Sequence, residues 1–337
     1  MKNAILFLLA VVTLQNVSAQ ENLNELLAAG INDSKRFAEH YIKPANDGLA
    51  YGINNNWSNS AKSQKKFGFT LSLVGNATFI NDEDKQFIMN TDDYENIRFK
   101  DGSVVKPVAT ALGHNEEDVI VEVTYDDPIF GEQTTDIILP TGIGSANVNL
   151  IPTVFLQGSF TPFKGTEIKA RYFPKIEQED VEVGLYGFGL QHEFTSWLPA
   201  DNNFPVAVSG LVAYTQLNGS YNLINTSNVE GENQRVETET KTMLYQLIVG
   251  TNLKIFNVYG SVGYLDGQNE TDLLGRYRVS DGILFTEEIV DPFSVESEIT
   301  GVVATVGAQV KLGFFGVNAA YTIADFSSAS LGMNFSF

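Results

Sequence analysis

The stretch Ser328-Ala-Ser-Leu-Gly-Met-Asn-Phe-Ser-Phe337 alternates without a fault. Ala329, Leu331, Met333, Phe335 and Phe337 fall on one side, and Ser328, Ser330, Gly332, Asn334 and Ser336 on the other. A period of two is the mark of a strand with one apolar and one polar face. The same pattern fills Phe67-Gly-Phe-Thr-Leu-Ser-Leu-Val-Gly-Asn-Ala-Thr-Phe79, with apolar or small residues at the odd positions. That run exceeds the usual globular strand of about five or six residues. It matches the roughly nine to eleven residues that a tilted strand needs to cross a bilayer.

Working outward, alternation returns over residues 147–161, 166–177, 180–194, 204–224, 235–252, 254–266, 297–312, 314–325 and 327–337. With the run from residue 66, this gives ten strands. Pairs hidden in 81–146 or 267–296 would raise the number to about twelve to fourteen, still an even count as such barrels require. Long connections (81–146, 225–234, 267–296) fall on one side of the sheet, and shorter ones, including Pro162–Gly165, 195–203 and Gly313, on the other. The segment 81–146 is acidic and irregular. It reads as a long loop or an inserted subdomain, with a hairpin around Lys100-Asp101-Gly102 and a short strand at Val119–Val123. A secreted β-sandwich is the rival, but its strands are shorter and its edges must be covered. The expected fold is therefore all-β and membrane-embedded: a closed antiparallel transmembrane β-barrel over 66–337.

Composition agrees. Apart from the N-terminus, no apolar run reaches the length of a membrane helix, and in lipid only helices and closed sheets satisfy every backbone group. The chain opens MKNAILFLLAVVTLQNVSAQ, with Lys2, an apolar run from Ala4 to Leu14, and Val17-Ser18-Ala19. This has the form of an export signal, so residues 1–19 are expected to be removed. There is no cysteine, and Asp+Glu (41) outnumber Lys+Arg (21) to give a net charge of −20. Such a surface repels nucleic acid.

Residues 20–65 precede the first strand and read as a helical, plug-like segment. Asn32-Asp33-Ser34 can cap a helix carrying Phe37 and Tyr41 one turn apart, and Pro44 suggests a stop after Ile42. Gly48, Gly52 and Asn54-Asn55-Asn56 then read as breakers.

The aromatic end of the last strand, at Phe337, resembles the C-terminal assembly signal of outer-membrane barrels. That resemblance implies the outer-membrane lipid and the barrel-assembly machinery as partners, and the cell outer membrane as location. Glu167–Pro174, Val183–Pro199 and Phe204–Ser209 resemble an uncharacterised family of Gram-negative barrels related to the FadL-type long-chain fatty-acid transporters. In FadL-type barrels the N-terminal segment folds into the lumen as a hatch. The resemblance implies passage of a hydrophobic, fatty-acid-like molecule through a plugged lumen, with residues 20–65 as the hatch. No individual binding residue is carried over from that family. On this reading Phe37, Tyr41, Leu49, Tyr51 and Trp57 would supply apolar contacts to the ligand. Lys169, Arg171 and Lys175 share one strand face and form either a basic lumen stripe for an acidic headgroup or an internal salt-bridge network with the plug. The alternative function is a non-transporting surface barrel whose acidic loops 81–146 and 267–296 bind a protein or glycan partner. An open porin comes third.

Catalytic patterns are missing from the sequence. None of His40, His114 and His192 is followed two residues later by Ser, as in barrel lipases, and there is no G-x-S-x-G elbow. His192-Glu193 has no second His one helical turn on. Asp92-Asp93 and Asp126-Asp127 read as solvated loop charge. The chain is accordingly expected to be no enzyme, with no metal and no cofactor.

Overall fold

The computed structural model describes residues 26–337 except 128–130, 147, 179, 199–204, 224–228 and 282–283. The expected signal, residues 1–19, and residues 20–25 of the expected plug lie outside the described residues.

Ten strands form a closed antiparallel barrel: β1 (Phe69–Phe79), β7 (Leu150–Phe163), β8 (Thr166–Gln178), β9 (Val181–Glu193), β10 (Val206–Asn222), β11 (Val229–Thr251), β12 (Phe256–Asp281), β14 (Phe293–Leu312), β15 (Phe315–Ile323) and β16 (Ser328–Ser336). They pair in that order, and β16 returns to β1 with Leu71 opposite Phe335 and Thr78 opposite Ser328. Phe337 completes this seam: its N–H donates to Phe69 O at 2.8 Å and its own carbonyl accepts from Phe69 N at 3.1 Å. A short strand, β13 (Leu284–Val290), folds back onto the end of β12. Outward positions are exposed and apolar on strand after strand, as at Leu71, Phe188, Leu247, Val306 and Leu331. Inward positions are polar or small, as at Ser72, Thr215, Thr242, Asn318 and Asn334.

The barrel has an insert end, at Phe79 and Leu150, and a terminal end, at Phe69 and Phe337. At the insert end, 81–146 is a folded unit, not a bare loop. There β2 (Gln86–Asn90) pairs with β4 (Val105–Ala109), and β3 (Ile97–Phe99) with β5 (Ile120–Asp127) and β6 (Gly131–Ile138). The turn at Lys100–Gly102 is present, with Gly102 at φ 79°, but it joins strands of two different sheets, so the expected hairpin does not form. The expected loops at 225–234 and 267–296 are largely strand, because β11, β12 and β14 remain paired beyond the apolar belt. Outside lipid an outward face can be polar, as at Glu237 and Glu270, so the alternation fades while the hydrogen-bond ladder continues.

Helix α1 (Ile31–Asn54) runs down the lumen from the insert end. It passes through Pro44 and past the expected stop at Ile42, because both of its ends are held by tertiary contacts. Asp33 does not cap it. The helix starts after Gly30, and the Asp33 carboxylate accepts Glu95 N at 3.0 Å and Asn96 N at 2.8 Å from the insert. At the other end Asn54 accepts from Thr215 Oγ1 at 3.0 Å and donates to Thr242 Oγ1 at 2.7 Å. Gly48 and Gly52 are points of close approach to the wall, not breakers: a Cβ on Gly52 would lie 2.9 Å from Thr78 Oγ1. Residues 55–66 continue to the terminal end, where Ser63 N donates to Glu193 at 2.9 Å and Gln64 N to Glu167 at 2.8 Å.

Candidate functional site

The lumen is divided by the lower end of the plug. Trp57 is fully buried, with its indole against Gly187 and Gly189 of β9, where added Cβ atoms would stand 3.0 and 3.1 Å from the ring. The Arg171 guanidinium also packs over the indole, 4.1 Å from its centre and 3.7 Å from that of Phe155. Its guanidinium donates to Ile53 O, to Asn55 O at 2.9 Å and to Gln157 Oε1. Ile53 belongs to the last turn of α1, so a cation stands where the helix presents its unpaired carbonyls and the negative end of its dipole. Lys169 donates to Trp57 O at 3.0 Å and pairs with Glu167 at 3.5 Å. Two of the three predicted stripe residues are thus used to hold the plug.

Lys175 is a correction. A β-bulge between Phe173 and Ile176 inserts one residue into β8, and Lys175 pairs with Glu182 at 2.5 Å on the outer face. One extra residue in a period of two reverses the face.

The same bulge splits the wall. β7 and β8 pair only as far as Leu156 opposite Tyr172. Beyond that fork, Leu150–Phe155 keep β1 as partner but have no partner in β8, while Phe173–Gln178 keep β9. Six residues of strand are about 20 Å long at the usual rise. Pro152 and Pro174 lie on the two parted strands, and proline, which has no N–H to give a ladder, belongs at such edges. A cavity of about 380 Å³ fills the fork. Leu49, Ile53, Leu185 and Leu217 line it from the lumen, and Pro152 and Val154 from the outward face of β7. Its single charged lining residue among the described residues is Glu182.

Of the five predicted ligand residues, only Leu49 lines this cavity. Phe37 and Tyr41, with rings 5.6 Å apart, pack into the core shared with the insert, beside Ile97, Val121 and Ile137. Tyr51 packs on Phe326 and donates to Asp325 at 2.9 Å. Trp57 is closed in as described. Burial consumes four side chains that the sequence alone presented as available. Sequence reasoning missed every other lining residue, Pro152, Phe155 and Phe173 among them, and the prolines on the two parted strands were the available signal. His192 faces outward at the terminal rim, 4.8 Å from Trp197, and Thr166 Oγ1 is 2.9 Å from its Nδ1.

A family model described as a family of unknown function (DUF6588) matches residues 1–337. The chain belongs to that family. No curated protein matches it. Among solved structures, it is similar to the attachment invasion locus protein Ail of Yersinia pestis, with 9% identity and a TM-score of 0.28 over 81% of this chain and 100% of that one. The translocator domain of autotransporter NalP from Neisseria meningitidis shows 12% identity and a TM-score of 0.28, covering 92% and 99%. The P. putida toluene transporter TodX shows 8% identity and a TM-score of 0.25, covering 81% and 89%. At these values the likenesses add nothing to the strand pairing already described.

Proposed function

We propose that this family member is an outer-membrane barrel that binds an apolar small molecule in the fork cavity and passes it between lumen and lipid through the parted β7–β8 seam, without catalysing a reaction. The observation that carries the reading is the fork. An apolar cavity bounded by the plug on one side and by outward-facing Pro152 and Val154 on the other spans the barrel wall. Location in a membrane is supported by the apolar side chains exposed around the barrel, a surface far larger than a soluble monomer keeps in water. With no cation and only Glu182 charged among the described lining residues, the cavity favours an uncharged molecule over a fatty-acid carboxylate.

The absence of cysteine makes a direct test simple. Val154→Cys with Glu177→Cys places one outward-facing thiol on each parted strand. Vesicles holding the oxidised pair should take up a lipophilic dye several-fold more slowly than wild type, and reduction should restore the rate. Equal rates before and after reduction, with the cross-link verified by mass, would sink the proposal.

A further inference from the structure

A second chamber, of about 760 Å³, lies below the plug at the terminal end. It is separate from the fork cavity, with Trp57, Gln157 and Arg171 standing between the two. Lys62, Lys65, Lys169, Lys254 and Lys311 line it, against one acidic side chain among the described residues, Glu167, and the terminal carboxylate of Phe337. Thus five of the chain's 21 basic residues gather around one chamber of a protein with 41 acidic ones. Like charges held together in a partly enclosed space repel and need a counter-charge. Lys62 has Glu193, and Lys169 has Glu167 and Trp57 O. Lys311, half-buried on the lumen face of β14, has no side-chain hydrogen bond and no close ion pair among the described residues, and feels only the longer-range attraction of Glu167, the carboxylate already paired with Lys169. Two residues earlier on the same face, Gln309 is 5% exposed, lines the chamber, and has an amide oxygen with no partner. A buried polar atom left unpaired costs about 1–3 kcal/mol, so it points to a partner that enters the chamber.

From this geometry we infer that the terminal-end chamber binds a small oxyanion, a carboxylate or a phosphate, between Lys311 and Gln309. An ammonium donates to the charged oxygens, and a protonated oxygen or hydroxyl of the same anion donates to the Gln309 amide oxygen. Lys65 and Lys254 at the rim raise the local anion concentration. The inference rests on different residues from those of the fork and stands whether or not the fork passes a ligand.

The test uses the whole chain folded in detergent micelles and titrated by calorimetry at fixed ionic strength. Inorganic phosphate and malate, each of which carries an O–H that can donate to Gln309, serve as the two probes, with chloride as the reference. Saturable binding of either probe is expected, and the one that binds more tightly identifies the anion class. Lys311→Gln should weaken it at least tenfold, and Gln309→Leu, which removes the unpaired oxygen, several-fold. Lys175→Gln, on the outer face, should leave it unchanged. Retained circular dichroism and heat-modifiable gel mobility will establish that each variant is folded. No binding by either probe, or affinity unchanged in a folded Lys311→Gln barrel, would overturn the site.

Discussion

Arg171 shows how a buried charge can hold two parts of a chain together. Its side chain is 1% exposed, and burying an isolated guanidinium is costly. Here the cost is offset by the carbonyls of Ile53 and Asn55, by Gln157, and by two aromatic faces. Replacing it with Met leaves those carbonyls buried and unpaired, at about 1–3 kcal/mol each. Arg171→Met is therefore expected to melt well below wild type in detergent. Arg171→Lys should recover only part of the loss, since one ammonium cannot reproduce the planar fork. A wild-type melting temperature for Arg171→Met would contradict this account. Phe337 carries a second prediction. Its backbone closes the seam with Phe69, while its side chain is 76% exposed to the apolar surroundings of the barrel. Phe337→Asp should lower the yield of inserted barrel while affinity of the inserted fraction for an apolar ligand in the distant fork stays unchanged; a normal membrane yield would count against it. The alternation legible in the sequence puts Arg171 and Lys169 on one strand face, and both are buried against the plug. It could not reveal their partners, which lie more than a hundred residues away in the plug. It failed at Lys175 because a one-residue bulge leaves no mark on composition.

Among elements, α1 is where local rules and tertiary packing disagree most. Pro44, Gly48 and Gly52 argue for a helix that stops early. The helix persists because its first turns pack on the insert and its last turn is gripped by the barrel wall. Gly52 decides between the two views. Helix propensity alone predicts that Gly→Ala in a helix stabilises by up to about 1 kcal/mol. Packing predicts the reverse, because the new Cβ would meet Thr78 Oγ1 at 2.9 Å and Thr153 Cγ2 at 3.3 Å, both on stiff, β-branched side chains. Overpacking typically costs about 1–3 kcal/mol, so Gly52→Ala should lower the melting temperature. A rise would show that the helix is not pressed against β1 and β7. The strands were more legible than the helix because a lipid-facing surface imposes period two on every residue that touches it. That constraint ends where lipid ends, which is why the upper parts of β11, β12 and β14 read as loops. The fork was hidden for a related reason: β7 and β8 keep their alternation on both sides of it, and only Pro152 and Pro174 record that the two strands part.

The whole molecule is a closed wall around a lumen that its own N-terminal segment fills. The wall holds its closure without that segment, because every barrel strand is paired with a neighbour on both sides over part of its length, the fork and the one-sided Phe293–Val303 end of β14 aside. At mid-height the plug contributes Ala50, Tyr51, Trp57 and Ala61 to one continuous core with Leu211, Leu244, Ile248 and Val303 of the wall. Such packing leaves no room for a column of water, so vesicles holding the complete barrel should not swell in small sugars at a rate set by solute size. Deleting residues 26–65 removes these contacts and leaves a polar lumen lined by Thr215, Thr242, Asn318 and Asn334. A barrel of about ten strands has an interior that side chains alone do not fill, so the deletion should open a narrow path. The expected outcome is rapid swelling with glycerol, slower swelling with disaccharides, and a weakened phosphate or malate response, since Lys65 leaves with the plug and the chamber opens to water while Lys311 and Gln309 stay on the wall. Heat-modifiable mobility of the shortened chain shows whether the barrel has formed before the measurement is made. Rapid swelling by the complete chain would mean that the plug leaves a water path, and the molecule would then have to be treated as an open pore.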